Sequence, residues 1–357
     1  MNYKTENIKT INVSKPLKLD CGQTIKDFPL AYETYGKLNE LKDNAILVFH
    51  ALTGDQFVSG INPVTNKEGW WVTAVGPGKA IDTDKYFVIC ANVIGGCMGS
   101  WGPKEIDKKT NEPYGLNFPV ITIRDMVKAQ EALLDHLGIE KLLCATGGSM
   151  GGMQLLEFCT IFPNKTFSAI PIACSTSHSA QNIALNELAR QAIMADPVWD
   201  KGKYIIKNAQ PKNGLAVARM VGHISYLSEK GMQEKFGRKL QEKADYEFSF
   251  DADFQVESYL RHQGSAFVER FENLIYVAGQ IITADAQGNT TAINPTIGVY
   301  DTYENTFEEL STNLTNISGF DTIHQMCIVN GKMYIIYGTA VNTSVVQQWE
   351  VLVSDLN

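Results

Sequence analysis

Apolar residues follow one rhythm in the first half of this chain, a second rhythm after it, and a third at the end. From residue 28 to 175, short apolar runs alternate with longer helical patterns. Ala45–Phe49 (AILVF), Tyr86–Ala91 (YFVICA), Leu142–Thr146 (LLCAT) and Ala169–Ala173 (AIPIA) are apolar on both parities. That is the pattern of parallel strands covered by helices on both faces. Between them, Thr122–Leu137 spaces Met126, Val127, Leu133, Leu134 and Leu137 near the helical period and reads as an amphipathic helix. Thr122 and Asp125 supply a capping box, and Gly138 a stop. Met150–Phe162 reads as a second helix, ended by Pro163. Strands alternating with helices predict an α/β fold on a mostly parallel sheet.

From Ser177 the strand signal disappears. Gln181–Ala195, Leu215–Ser228, Met232–Lys243 and Asp253–Phe271 all read as helices. A helical block interrupting an α/β pattern predicts a lid over residues 177–271. It would follow a core of residues 1–176 and cover the carboxyl ends of the strands. At about Glu272 the rhythm changes again. Residues 272–357 are rich in Thr, Asn, Val, Ile and Tyr. Leu274–Ala278, Thr296–Tyr300, Thr306–Leu310, His324–Val329 and Lys332–Tyr337 are short strand candidates. Asn330-Gly331 between the last two is a hairpin signal. The expectation here is a β-rich tail.

Composition narrows the function. The 357 residues carry 39 acidic and 31 basic side chains, a net charge of −8, with no basic cluster. Nucleic acid and an anionic membrane surface are therefore not expected partners. No apolar run is long enough to span a bilayer, and residues 1–20 hold no apolar secretory core. Seven scattered cysteines (Cys21, Cys90, Cys97, Cys144, Cys159, Cys174 and Cys327) suit reduced thiols in the cytoplasm. None has metal-ligand spacing, so no metal is expected.

The chemistry centres on Gly147-Gly148-Ser149-Met150-Gly151. This G-x-S-x-G follows a predicted strand and precedes a predicted helix. A sharp turn there holds Ser149 above the sheet as a nucleophile, and flanking glycines let strand and helix pack closely. The developing oxyanion needs donors. The residue after the nucleophile gives one backbone N–H, here that of Met150. The second is expected from the loop after an earlier strand, His50–Gly54 (HALTG), with Leu52 as the donor. His50 is expected to shape that loop rather than to react.

An ordered series of segments then resembles the homoserine O-acetyltransferases of the α/β-hydrolase superfamily. It runs through His50–Gly54, Trp70-Trp71, Gly76–Thr83 (GPGKAIDT), Asn92–Gly96 (NVIGG), Gly99–Pro103 (GSWGP) and Pro113-Tyr114-Gly115. It continues through Phe118–Asp125 (FPVITIRD), Gly147–Gln154 (GGSMGGMQ), Ala218–Tyr226 (ARMVGHISY) and Tyr259–Gly264 (YLRHQG). The resemblance implies an α/β-hydrolase-like sheet with a helical lid. It implies an enzyme that transfers an acetyl group from acetyl-CoA to the hydroxyl of L-homoserine through an acyl-serine, in methionine biosynthesis. Acetyl-CoA is then a substrate, and no cofactor stays bound. The resemblance also implies that Arg219 and Tyr226 help hold the amino acid, and that a homodimer forms through the lid.

The resemblance stops near Phe271. A serine triad needs a histidine base and an orienting carboxylate. The family's aspartate motif and its Gly-His-Asp context are both missing. Of the histidines after Ser149, His178, His223 and His262 fall in the lid region, where packing or capping is expected. His324 falls in the tail, with Asp301 and Asp321 nearby, in a motif that does not match. The tail itself weakly resembles Kelch-type β-propeller sequence, through Ile275–Gly279, Val299-Tyr300-Asp301 and Asn330–Ile336. Without the family's last strands, an open apolar sheet edge and a less stable fold are expected. Two further readings stay open: a member that has lost activity with its triad, and a binding module built on the tail.

Overall fold

The computed structural model describes residues 8–270, apart from 208, 246 and 248, and the backbone of five strands between 298 and 355. The described residues form two units. One holds those of 4–101, 120–177 and 279–357, and the other those of 102–119 and 178–278.

The first unit is built on one sheet. Its strands are β1 (Thr10–Val13), β2 (Phe28–Tyr35), β3 (Ala45–Phe49), β4 (Phe87–Ala91), β5 (Cys144–Gly148), β6 (Ser168–Ile172), β7 (Phe320–Val329), β8 (Lys332–Thr339) and β9 (Trp349–Asp355). They lie in the order β1-β2-β4-β3-β5-β6-β7-β8-β9. Strands β4, β3, β5 and β6 run parallel, and the pairs outside them are antiparallel. The α/β expectation therefore holds at the centre of the sheet. Strand β5 sits two residues later than its apolar run, because Gly147 and Gly148 continue the ladder towards Ser149. Leu142 contributes only an isolated bridge to Thr166.

Burial follows the cover available. All of β3 is buried, as is β4 from Val88 and β5 to Gly147. Strand β6 has the same apolar pattern, yet none of its residues is buried and Ile170 is 37% exposed. The expectation of helices on both faces holds on one side only. The helix Met150–Ile161 packs on β3 and β5, while Ile46, Val48, Val88 and Cys90 pack against Val58, Trp70, Trp71 and Val75 of a non-helical segment, and no residue of β6 is buried.

Helix α1 (Ile123–Leu137) begins and ends where its capping residues require. The Thr122 Oγ1 accepts from the Asp125 N–H at 3.2 Å, and an Asp125 carboxylate oxygen accepts from the Thr122 N–H at 3.1 Å. This reciprocal box satisfies two donors that a helix start otherwise leaves unpaired. Gly138 closes the other end at φ 67°. Helix α2 (Met150–Ile161) packs on β3, β5 and β6, and the Phe158 ring lies 5.7 Å from that of Phe49.

The open edge expected beyond β6 is not what the structure has. Strand β7 pairs antiparallel with β6, Ser168 opposite Val329 and Ala169 opposite Ile328. Backbone groups on that edge thus find partners in the β-rich tail. Strands β7 and β8 pair up to Val329 opposite Lys332. The linking Asn330-Gly331 and the Leu274–Ala278 candidate lie outside the described residues. Gly298–Asp301 and Thr306–Glu309 form a separate antiparallel pair.

The second unit carries helices α3 (Ala180–Ala195), α4 (Lys212–Ser225), α5 (Glu229–Lys235) and α6 (Gln255–Arg270), with α4 packed on α3 and α6. Helix α5 is shorter than the Met232–Lys243 pattern predicts. Gly237 adopts φ 53°, a left-handed conformation that ends the helix directly after Phe236. Among the described residues, no helix is long and apolar enough to cross a membrane.

Candidate active site

The site grows from the ends of two neighbouring parallel strands. Gly147 of β5 stands opposite Phe49 of β3. The chain leaving β3 at His50 and the chain leaving β5 at Ser149 therefore emerge side by side. Ser149 is exposed and takes φ 55° and ψ −123°, a conformation that non-glycine residues rarely adopt. Such strain persists only where the surroundings enforce it. The enforcement is visible in two neighbouring glycines. A Cβ on Gly151 would lie 2.1 Å from the Phe49 carbonyl oxygen, and one on Gly147 2.5 Å from the Gly151 oxygen. Helix and strand are too close for any side chain at either position. The Ser149 N–H donates to the Ile172 carbonyl at 2.9 Å, tying the turn to β6.

The N–H of Met150 opens helix α2 and has no acceptor among the described residues. The same holds for the N–H of Leu52. Leu52 sits in a turn closed by a 2.8 Å bond from the Gly54 N–H to the Ala51 carbonyl, with its side chain 46% exposed. Two N–H groups without acceptors among the described residues, one directly after a strained serine and one on the loop leaving the neighbouring strand, are the kind of donors an oxyanion site requires. Among the described residues of the same unit, no histidine or carboxylate hydrogen-bonds to Ser149 Oγ.

His50 shapes the loop, as the sequence suggests. Its ring is 1% exposed. Nδ1 lies 2.8 Å from the Ala51 carbonyl, so it carries the proton. Nε2 then accepts from the Val93 N–H at 3.1 Å. A second set of groups supports the loop, and the sequence reading missed it. The Gln154 Nε2 donates to the His50 carbonyl at 3.1 Å and to the Met150 carbonyl at 3.4 Å. Gln130 Nε2 on α1 donates to Gln154 Oε1 at 2.7 Å. Both glutamines are 0% exposed. The Gln130 Oε1 has no partner among the described residues, at a cost of about 1–3 kcal/mol. The signal available in the sequence was a lone glutamine in the otherwise apolar start of α2, four residues after Met150.

Arg219 and Tyr226 belong to the second unit, and α4 brings them together. The Arg219 guanidinium lies 5.1 Å from the centre of the Phe267 ring and 5.9 Å from that of Tyr226. Tyr226, at the end of α4, is 63% exposed. His223 precedes Tyr226 by three residues on α4. Its ring is 5.4 Å from that of Tyr226, and its Nδ1 is 2.8 Å from the Tyr259 hydroxyl. Burial, then the charges of Arg219 and Lys235, hold its pKa below the usual histidine range. His178 meets Asn186 at 3.2 Å by the start of α3, and His262 is exposed. The tail residues His324 and Asp321 lie on β7, and Asp301 on the separate strand pair. Among the described residues, no cluster of His, Cys, Asp or Glu is arranged to hold a metal.

Comparison with known proteins identifies the fold and the family. The family profile described as the alpha/beta hydrolase fold matches residues 44–289. The chain is 69% identical over 271 residues to the homoserine O-acetyltransferase of Pelagibacter ubique, covering 76% of this chain and 73% of that one. It is 59% identical over 276 residues to that of Nitrobacter hamburgensis, covering 77% and 69%. Among solved structures, it resembles a homoserine O-acetyltransferase from Bacillus anthracis with a TM-score of 0.65 and 28% identity, covering 74% and 72% of the two chains. A solved esterase is similar at a TM-score of 0.62 and 27% identity, covering 78% and 80%. The chain belongs to the homoserine O-acetyltransferase family of α/β-hydrolase-fold enzymes.

Proposed function

We propose that this chain transfers an acetyl group from acetyl-CoA to the hydroxyl of L-homoserine, through an acyl-enzyme on Ser149. The single observation that carries this reading is the strained, exposed Ser149 at the end of a strand whose neighbour leads to Leu52, with the N–H groups of Met150 and Leu52 lacking an acceptor among the described residues. In the first half-reaction, Ser149 Oγ attacks the thioester carbonyl. The C–S bond breaks, and coenzyme A leaves as the thiol with the serine proton. In the second, the homoserine hydroxyl attacks the acyl-serine carbonyl and gives up its proton, and Ser149 Oγ is regenerated. The N–H groups of Leu52 and Met150 stabilise the oxyanion in both. Arg219 and Tyr226 hold the amino acid. The Arg219 charge suits its carboxylate, and the exposed Tyr226 hydroxyl suits a polar group. The reaction leaves no cofactor bound, and we place it in the cytoplasm, within methionine biosynthesis. A homodimer through the lid is part of the same reading. Helices α3 and α4 expose Ile183, Leu188, Val217 and Ile224, which supports it.

A second reading has its own observation. Ser149 Oγ has no base within its own unit among the described residues, and the Gly-His-Asp context is missing from the sequence. A scaffold that keeps its elbow without its base loses several orders of magnitude in rate.

The test is thiol release from acetyl-CoA with and without L-homoserine, comparing the wild-type chain with Ser149→Ala. The transferase reading expects release that needs both Ser149 and homoserine, reduced at least about 1000-fold in the variant. Release unchanged in Ser149→Ala would overturn it. No release from a folded wild-type chain would establish the second reading. If release occurs, His324→Ala tests whether the tail supplies the base.

A further inference from the structure

We propose that Gln154 is a positioning residue, whose side-chain amide ties the two oxyanion donors into one rigid site. The inference rests on the reading of Leu52 and Met150 as those donors.

The geometry is specific. An amide NH₂ has two hydrogens to donate. Gln154 gives one to the His50 carbonyl at 3.1 Å and directs the other at the Met150 carbonyl at 3.4 Å. Met150 is itself one donor residue. The His50 carbonyl belongs to the peptide that leads into the Ala51–Gly54 turn, in which Leu52 stands. One side chain thus holds both halves of the site, which come from separate strands and have no covalent link nearby. The His50 ring grips the same turn from the other side, through the Ala51 carbonyl and the Val93 N–H.

The orientation of the Gln154 amide is also enforced. Two carbonyls demand its NH₂, so its Oε1 must face Gln130. Gln130 answers with its own NH₂ at 2.7 Å, and its Oε1 is left without a partner among the described residues. Two leucines or methionines would fill this interior without the unpaired Gln130 Oε1, at the loss of the donor that Gln154 gives the His50 carbonyl. The arrangement that is present costs stability and secures a direction. A small displacement of a positioned group lowers rate steeply, so this direction is of direct use in catalysis.

The experiment uses the full chain and two near-isosteric variants, Gln154→Met and Gln130→Met. Two quantities are read: the rate of Ser149 acylation by p-nitrophenyl acetate, and hydrogen exchange of the amides from Ala51 to Gly54. Gln154→Met is expected to acylate about 10- to 100-fold more slowly, with KM for the ester changed less than about 3-fold. Its Ala51–Gly54 amides are expected to exchange at least about 10-fold faster, while those of β3 are unchanged. Gln130→Met is expected to shift both quantities the same way by a smaller factor, without lowering the unfolding temperature. Wild-type exchange across Ala51–Gly54 in Gln154→Met overturns the proposal. So does an acylation loss that only follows the folded fraction. If Gln154→Met does not fold, Gln130→Met decides on the same two readouts. A wild-type chain that acylates no faster than Ser149→Ala overturns the transferase reading, and the exchange data then decide separately whether Gln154 holds the loop.

Discussion

Strands β5 and β6 are neighbours, run parallel, and look alike as sequence: CATGG after two leucines, and SAIPI. Their surroundings differ. From Cys144 to Gly147, β5 is buried. No residue of β6 is, and Phe167 just before it is 46% exposed. The strained Ser149 follows directly on the buried strand, and β6 meets the part of the chain where the family resemblance ends. The contrast teaches that an apolar run records what a strand was selected to pack against. What covers it is decided by the rest of the chain. The central strands β3, β4 and β5 hold the elbow rigid, while β6 supports it from a flank with less to lose.

The largest effect is expected at the buried centre. Phe158→Ala removes a 0% exposed ring packed on Phe49 and Phe162, and is expected to cost about 3–5 kcal/mol in urea unfolding. A loss under about 1 kcal/mol would erase the distinction between centre and flank. Gly151→Ala comes next. Its new methyl meets backbone rather than a movable side chain, so it should cost about 3 kcal/mol, near the upper end for overpacking. It should also abolish Ser149 labelling by a serine-reactive probe in whatever fraction remains folded.

At the flank, Ile170→Thr is expected to change stability by less than about 1 kcal/mol, because much of the side chain already meets solvent. A loss as large as that of Phe158→Ala would mean that β6 is packed as tightly as β5.

The finest probe is thiol chemistry. Cys90 in β4 is 0% exposed, and burial first, then the charge of Asp55, pushes its pKa well above the ordinary thiol value. Burial raises Cys159 to about 12 and Cys174 to about 11. Peptide-resolved labelling at pH 8 should modify exposed Cys21 first, then half-buried Cys174 and Cys159, and Cys90 last. Equal rates for Cys90 and Cys174 would break the comparison. The pH dependence follows with a definite sign. Between the ordinary thiol value near 9 and the raised folded values, the unfolded chain loses these protons and the folded chain keeps them. Stability should therefore be fully present below pH 9 and decline from pH 9 towards 11 and 12. Replacing Cys159 and Cys174 by Ala should flatten that decline.

Much of this was legible in the residues alone, for reasons that are local. A capping box needs only Thr122 and Asp125 three positions apart, and Gly138 ends the helix by its own backbone freedom. The elbow was legible because a serine between close-packed glycines, after one apolar run and before another, has few other structural meanings. Strands β1 and β2 were missed ahead of Ala45 because their half-buried alternation is weaker than a continuous run. Helix α5 was overextended because period alone does not reveal that Gly237 turns left-handed.

The sequence by itself determined the alternation of elements, the caps, the sharp turn at Ser149 and the family, all carried by spacing over a few residues or by ordered motifs. Only the tertiary structure decided which strands are covered, that β7 pairs with the edge of β6, and that Gln154 joins two loops more than ninety residues apart. These depend on contacts between distant segments. A buried amide, a half-exposed isoleucine and a paired edge are defined by their neighbours in space, and local residue patterns carry little information about those.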